Sequence, residues 1–213
     1  MNEKKLPLNN LPAAFFIFAL MLASESKKFL ITGLGNIGVE YINTRHNIGF
    51  IVVDALAQKL KATFESSRHG SVARAKYKGK TIVLLKPSTY VNLSGKAIKY
   101  WLDNENIPLE NSLVVVDDLD LSTGAFRMKS KGGDGGHNGL NHIIMTLGTE
   151  GFSRLRIGVG NEFAKGFQVD YVLGTWTKEE EKIMLERIPL AVDAVLSFVC
   201  EGVNTAMNKY NNK

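Results

Sequence analysis

His46 is the residue of this sequence best placed for acid–base chemistry. It stands in the tetrapeptide Thr44-Arg45-His46-Asn47, directly before an apolar helical repeat. Imidazole titrates near neutrality, so a positioned histidine can take a proton from water. A lone histidine is more often structural, and Asp117 changes that balance. It follows the apolar run 113–116, and α/β folds gather site residues at the carboxyl ends of their strands. A carboxylate bonded to one imidazole nitrogen fixes the tautomer and raises the basicity of the ring. No Gly-x-Ser-x-Gly elbow supplies a serine nucleophile, so the pair would activate water directly.

Three asparagines stand in or beside special turns: Asn36 in GLGNIG, Asn92 in VNLSG and Asn138 in GGDGGHNG. One alone would mean nothing, because asparagine suits turns for local reasons. Three such turns point to a polar cleft that grips amide groups or a developing oxyanion. Five of the eight residues in 132–139 are glycine, which lets the backbone approach a ligand closely. The loops together suit chemistry on a carbonyl or ester.

The remaining histidines are read more plainly. His69 lies in a polar stretch and His142 falls opposite an apolar stripe, so both are expected at the surface. His137 and His142 are five apart, the wrong spacing for two ligands on one helical face, and no H-E-x-x-H occurs; no metal is expected. Gly33, Gly35 and Gly38 match the dinucleotide pattern G-x-G-x-x-G. That pattern needs a helix starting at the turn, whereas the helical repeat here begins only near Asn47. The glycine run lacks the Lys-Ser/Thr pair of a nucleoside triphosphate loop. Arg127, Lys129, Lys131, Arg154, Arg156 and Lys165 could share one face of a sheet, where several together would suit phosphate.

The elements that must position these groups follow from periodicity. Apolar strands are expected at 29–31 and 113–116, and a hairpin joins 72–77 to 81–85 across Lys78-Gly79-Lys80. Residues 47–60 repeat at helical spacing, Ser94 opens a helix to about Asn104, and Leu140, Ile143, Ile144 and Leu147 mark another that ends before Gly148. Phe126 and Met128 alternate with Arg127 and Lys129, and Leu155, Ile157 and Val159 alternate with Arg154 and Arg156. Thr177 and Glu180 form a capping box for a last helix that Pro189 breaks or kinks. Strands alternating with helices predict a single-domain α/β three-layer sandwich with a twisted mixed sheet flanked by helices.

With 213 residues, 45% hydrophobic and 22% charged, the chain has the composition of one globular domain with a sizeable core. A net charge of +5 fits an anionic partner such as nucleic acid, and equally a plain soluble enzyme. The single cysteine, Cys200, excludes an intramolecular disulfide and a cysteine-rich zinc site, and is read as a packed core thiol. Residues 1–27 form an N-terminal extension. Lys4 and Lys5 before an apolar run 13–22 look like a secretory signal; alternatively translation starts at Met21, the reading favoured here because the rest looks cytoplasmic.

Taken together, GLGNIG with Tyr41 and TRHN, KPSTYVNLSG, DDLDL, GGDGGHNGL and RLRIGVG followed by DYVLG resemble the bacterial-type peptidyl-tRNA hydrolases. The resemblance spans residues 28–213, the hydrolase domain. It implies a cytoplasmic, monomeric hydrolase that needs no cofactor, protein partner or membrane and cleaves the ester between a peptide and the 3′ end of tRNA. It implies that His46 is the base that activates water and that Asp117 orients it. Asn36, Asn92 and Asn138 would hold peptide, base or water, with Tyr41 and Tyr90 among the substrate contacts. Lys129, Arg156 and Lys165 would meet tRNA phosphate, and His137 would play a supporting part. The sequence departs from the family at Ile37, usually proline, and at Val91, usually methionine. Two other readings remain: a non-catalytic RNA-binding protein on the same scaffold, and a nicotinamide enzyme.

Overall fold

The computed structural model describes residues 27–211, so the signal-like segment lies outside the described residues. Seven strands form one sheet in the order β2-β3-β4-β1-β5-β7-β6. They are β1 (Lys28–Gly33), β2 (Glu65–Ser67), β3 (Gly70–Tyr77), β4 (Lys80–Pro87), β5 (Ser112–Asp118), β6 (Phe126–Lys129) and β7 (Ser153–Gly158). β4, β1, β5 and β7 run parallel, while β2, β3 and β6 are antiparallel to their neighbours. The mixed sheet and the hairpin are as the sequence predicts.

Helices cover both faces. α1 (Ile48–Lys59), α5 (Lys178–Glu201) and α6 (Val203–Tyr210) pack on one side, against Phe29, Ile31, Leu84, Leu113 and Val115. α2 (Ser94–Glu105) and α3 (Asn138–Leu147) cover the other, against Leu30, Val83, Leu85, Val114 and Val116. Adjacent strand residues thus enter opposite cores, which is why these strands read as continuous apolar runs. A short helix, α4 (Gln168–Leu173), stands above the carboxyl ends of the strands.

Three local expectations are corrected. The break expected at Pro189 does not occur, and α5 runs on through it. Proline denies the Leu185 carbonyl its usual partner, a local loss that the 24-residue helix accommodates without ending. Ser94 does not cap α2 through its side chain; it is the first helical residue, buried, and its hydroxyl donates to the Val91 carbonyl. Cys200 is half-buried rather than a core thiol. The Thr177/Glu180 capping box and the left-handed Gly148 stop both form as expected.

β1 and α1 approach so closely that both contact residues must be glycine. A Cβ on Gly49 would lie 2.5 Å from the Val115 carbonyl oxygen and as close to the Leu34 nitrogen. Gly49→Ala should therefore destabilise the protein by about 2–3 kcal/mol, the upper range for overpacking. The midpoint of urea unfolding is the check: an unchanged midpoint would refute this account of the β1–α1 contact.

Candidate active site

The carboxyl ends of β1 and β5 open into a cleft of about 360 Å³. Asn36, His46, Tyr90, Asn92, Asp117, His137 and Asn138 all line it, with apolar walls from Val91, Leu140, Val172 and Leu173. Of the residues expected at the site, Tyr41, Lys129 and Lys165 lie outside the cleft lining. Tyr41 closes the single 3-10 turn Val39–Tyr41, and its carbonyl accepts the Thr44 hydroxyl.

His46 sits in the 3-10 turn Arg45–Asn47 that leads into α1. Its Nδ1 lies 2.9 and 3.0 Å from the two carboxylate oxygens of Asp117. His137 approaches the same carboxylate, with Nε2 3.0 Å from Oδ1. The other nitrogen of His137 caps α3, accepting from the backbone N–H groups of Gly139 and Leu140. This fixes the tautomer: Nδ1 of His137 carries no proton, so Nε2–H donates to Asp117. The carboxylate therefore receives two imidazole N–H bonds, and His46 keeps a bare Nε2 on the far side of its ring. That lone pair is what a general base requires.

Burial would lower the His46 pKa, but the charge and hydrogen bond of Asp117 outweigh it and hold the imidazole above its ordinary 6.5. Burial likewise pushes Asp117 up, yet its two imidazole neighbours, His137 and then His46, prevail and hold the carboxyl well below the usual carboxylate range. Stability from a depressed carboxylate is present above its unfolded value of 3.8 and lost as pH falls below it. Beside it, burial raises the Asp118 pKa despite the ion pair with Arg156.

Potential ligand atoms of His46, Asp117 and His137 all lie within 4.8 Å of one another. Their surroundings suit hydrogen bonding better than a metal. A ligating imidazole ordinarily donates from its other nitrogen, whereas Nδ1 of His137 accepts two N–H bonds. A cation on Nε2 would have to displace its proton and leave an imidazolate.

Asn36 is held on three sides. Its N–H donates to Asn47 Oδ1, its carbonyl accepts from Asn47 Nδ2, and its Oδ1 accepts from the N–H of Val91. With Oδ1 engaged, the amide Nδ2 is the end left for the cleft. Arg45 locks the neighbouring wall. Its guanidinium makes a two-point pair with Glu180, donates to the Tyr171 carbonyl and stacks 4.3 Å from the Tyr171 ring. It thereby ties the His46 turn to α4.

The basic face is only partly as expected. β6 and β7 pair with Arg127 opposite Arg156 and Lys129 opposite Arg154, so these four share one face. Arg154, however, is 1% exposed and donates to the carbonyls of Gly132, Gly133, Glu150 and Phe152, bracing the glycine loop. Arg156 lines the cleft but is paired with Asp118 and lies 3.6 Å from Asp120. Arg127, Lys129 and Lys131 have no ion pair among the described residues. Lys165 is exposed on the loop before α4. His142 is not a plain surface residue: its Nδ1 accepts from the Gly95 N–H and joins α3 to α2. His69 is half-buried in the left-handed turn between β2 and β3, its ring edge-on to Tyr100.

The residues that sequence reasoning missed are Asn47, Arg45 and the direct bond from His137 to Asp117. Asn47 and Arg45 flank His46, and that adjacency was the only signal.

Fold and site define an α/β enzyme with a buried imidazole–carboxylate pair in its cleft, an arrangement that suits a hydrolase. The family model described as peptidyl-tRNA hydrolase matches residues 30–213. A peptidyl-tRNA hydrolase of Phocaeicola vulgatus is 56% identical over 186 residues, covering 87% of this chain and 100% of the relative. One of Cytophaga hutchinsonii is 55% identical, covering 87% of this chain and 99% of the relative. The crystal structure of the Acinetobacter baumannii peptidyl-tRNA hydrolase superposes with a TM-score of 0.82 at 39% identity, covering 87% of this chain and 95% of that one. The chain belongs to the peptidyl-tRNA hydrolase family.

Proposed function

We propose that the chain hydrolyses the ester between a peptide and the 3′ end of tRNA, with His46 as general base. The observation that carries this reading is the Asp117 carboxylate receiving N–H bonds from both His46 and His137, so that the bare Nε2 of His46 is left for water. His46 takes a proton from water and the hydroxide adds to the ester carbonyl. The amide Nδ2 of Asn36 donates to the oxyanion that forms. The intermediate collapses, the ribose oxygen leaves, and it receives the proton held by His46. No covalent enzyme intermediate and no cofactor enter this scheme. Asn92, Asn138 and Tyr90, on the cleft wall, would hold the peptide.

A free aminoacyl ester carries an ammonium that is costly to place against Val91, Leu140, Val172 and Leu173. An N-blocked ester has no such charge. Comparison of tRNA release from N-acetylaminoacyl-tRNA and from aminoacyl-tRNA tests the reading. Fast cleavage of the blocked ester alone is expected; equal rates would refute the selectivity, and no release from the blocked ester would refute the activity.

In this reading residues 28–213 act as a cytoplasmic monomer, and tRNA phosphate meets Lys129 and Lys165, with Arg127 and Lys131 flanking Lys129 in the chain. No helix among the described residues is long and apolar enough to cross a membrane. Lys129→Ala should weaken tRNA binding and reduce the slope of log affinity against log salt by about one. An unchanged slope would remove Lys129 from the contact surface. Arg156 is a poorer phosphate ligand than the sequence suggests, because Asp118 and Asp120 already neutralise it.

A further inference from the structure

A second groove, of about 490 Å³, lies on the far side of the Asn36 loop. Its apolar wall is Ile37, Ile42, Phe50, Ile51 and Pro87. Ile37 and Ile42 are 46% and 57% exposed, much for isoleucines of a folded domain. Asn43, Ser71 and Ser88, whose side chains can donate and accept, line the same groove, as does the ion pair of Lys86 with Asp54.

Position gives this groove its meaning. It shares Asn36 with the catalytic cleft, and the chain that lines it at 86–88 continues into Tyr90, Val91 and Asn92 of the cleft. Across the sheet the strand order places β6 with Arg127 and Lys129 first, then β7, then β5 with Asp117, then β1 leading to Asn36, then β4 and β3 with the groove. A substrate that runs straight across the sheet, with its phosphates at β6 and its ester at His46, carries its acyl chain on toward β4. The groove is the next cavity in that direction.

We infer that this groove receives the upstream part of the substrate's peptide, the residues amino-terminal to the one esterified to tRNA. The inference rests on the hydrolase reading above and extends it. The ligand is an extended peptide whose apolar side chains meet Ile42 and Phe50 and whose amides meet Asn43, Ser71 and Ser88. An acetylated single residue ends before the groove, whereas a hexapeptide enters it.

The test compares kcat/KM for a hexapeptidyl-tRNA of apolar sequence with that for N-acetylaminoacyl-tRNA, and follows the ratio in Ile42→Ser and Ser88→Trp. Both positions are exposed. The first substitution removes apolar wall and the second fills the groove. The ratio should exceed one in the wild type and fall by about five- to tenfold in either variant, near the lower limit for a lost apolar contact because the groove is open to solvent. Cleavage of both esters with the same ratio in all three proteins would overturn the groove assignment and leave the hydrolase reading intact. Failure of the wild type to cleave either ester would overturn both.

Discussion

Asp117→Asn is expected to lower kcat by about 10³- to 10⁴-fold, the scale of losing the orienting carboxylate of a histidine base. The carboxylate accepts from Nδ1 of His46 and from Nε2 of His137. An asparagine keeps an acceptor oxygen near both rings but puts an N–H donor where Oδ2 stood, 2.9 Å from Nδ1 of His46. The α3 cap holds His137 in its tautomer, and the burden falls on His46. Its ring then accepts at Nδ1 from the new amide and carries its proton on Nε2, where a base must be bare. The pH profile changes too. In the wild type Asp117 holds the His46 pKa above 6.5 against burial, so kcat/KM rises with pH through a midpoint above that value. Without the carboxylate, burial is left to act and the limb should move to lower pH. Initial rates between pH 5 and 9 read both effects. A variant with the wild-type midpoint would show that Asp117 does not act on the base.

His46→Ala should lower kcat by about 10²- to 10⁴-fold, the contribution of a positioned general base. The affinity for tRNA should change little, because the unpaired cations Arg127, Lys129 and Lys131 stand on and after β6, away from the turn that carries His46. The alanine keeps the backbone of the 3-10 turn, including the Arg45 and Asn47 bonds that build the cleft. Fluorescence titration with tRNA separates loss of chemistry from loss of binding. Equal losses in both would mean that His46 holds substrate rather than reacting.

Much of this site was legible because its key groups occupy positions that periodicity reveals. His46 precedes a helical repeat and Asp117 ends a β-branched run, so both could be placed without knowing what they touch. The three asparagines were legible as turn residues that together point to a polar cleft, and all three line it. What escaped the sequence was depth and long-range pairing. Alternation put Arg154 on the correct face but could not show that the glycine loop folds over it. Arg45 meets Glu180 across 135 residues, and no local pattern announces such a pair. His142 looked solvent-facing on its own helix, and only the arrival of α2 gives its ring a backbone N–H to accept. Pro189 was read by its effect on an isolated helix, whereas this long, packed helix continues through it.

The most direct measurement of the central claim is single-turnover release of tRNA from N-acetylaminoacyl-tRNA under excess enzyme, wild type against His46→Ala, as a function of pH. Excess enzyme removes product release from the rate. The wild-type rate should climb with pH to a plateau, with its midpoint above 6.5, and the variant should be slow and without that limb. A His46→Ala protein that shows the same limb and a comparable plateau would contradict the assignment of His46 as the base.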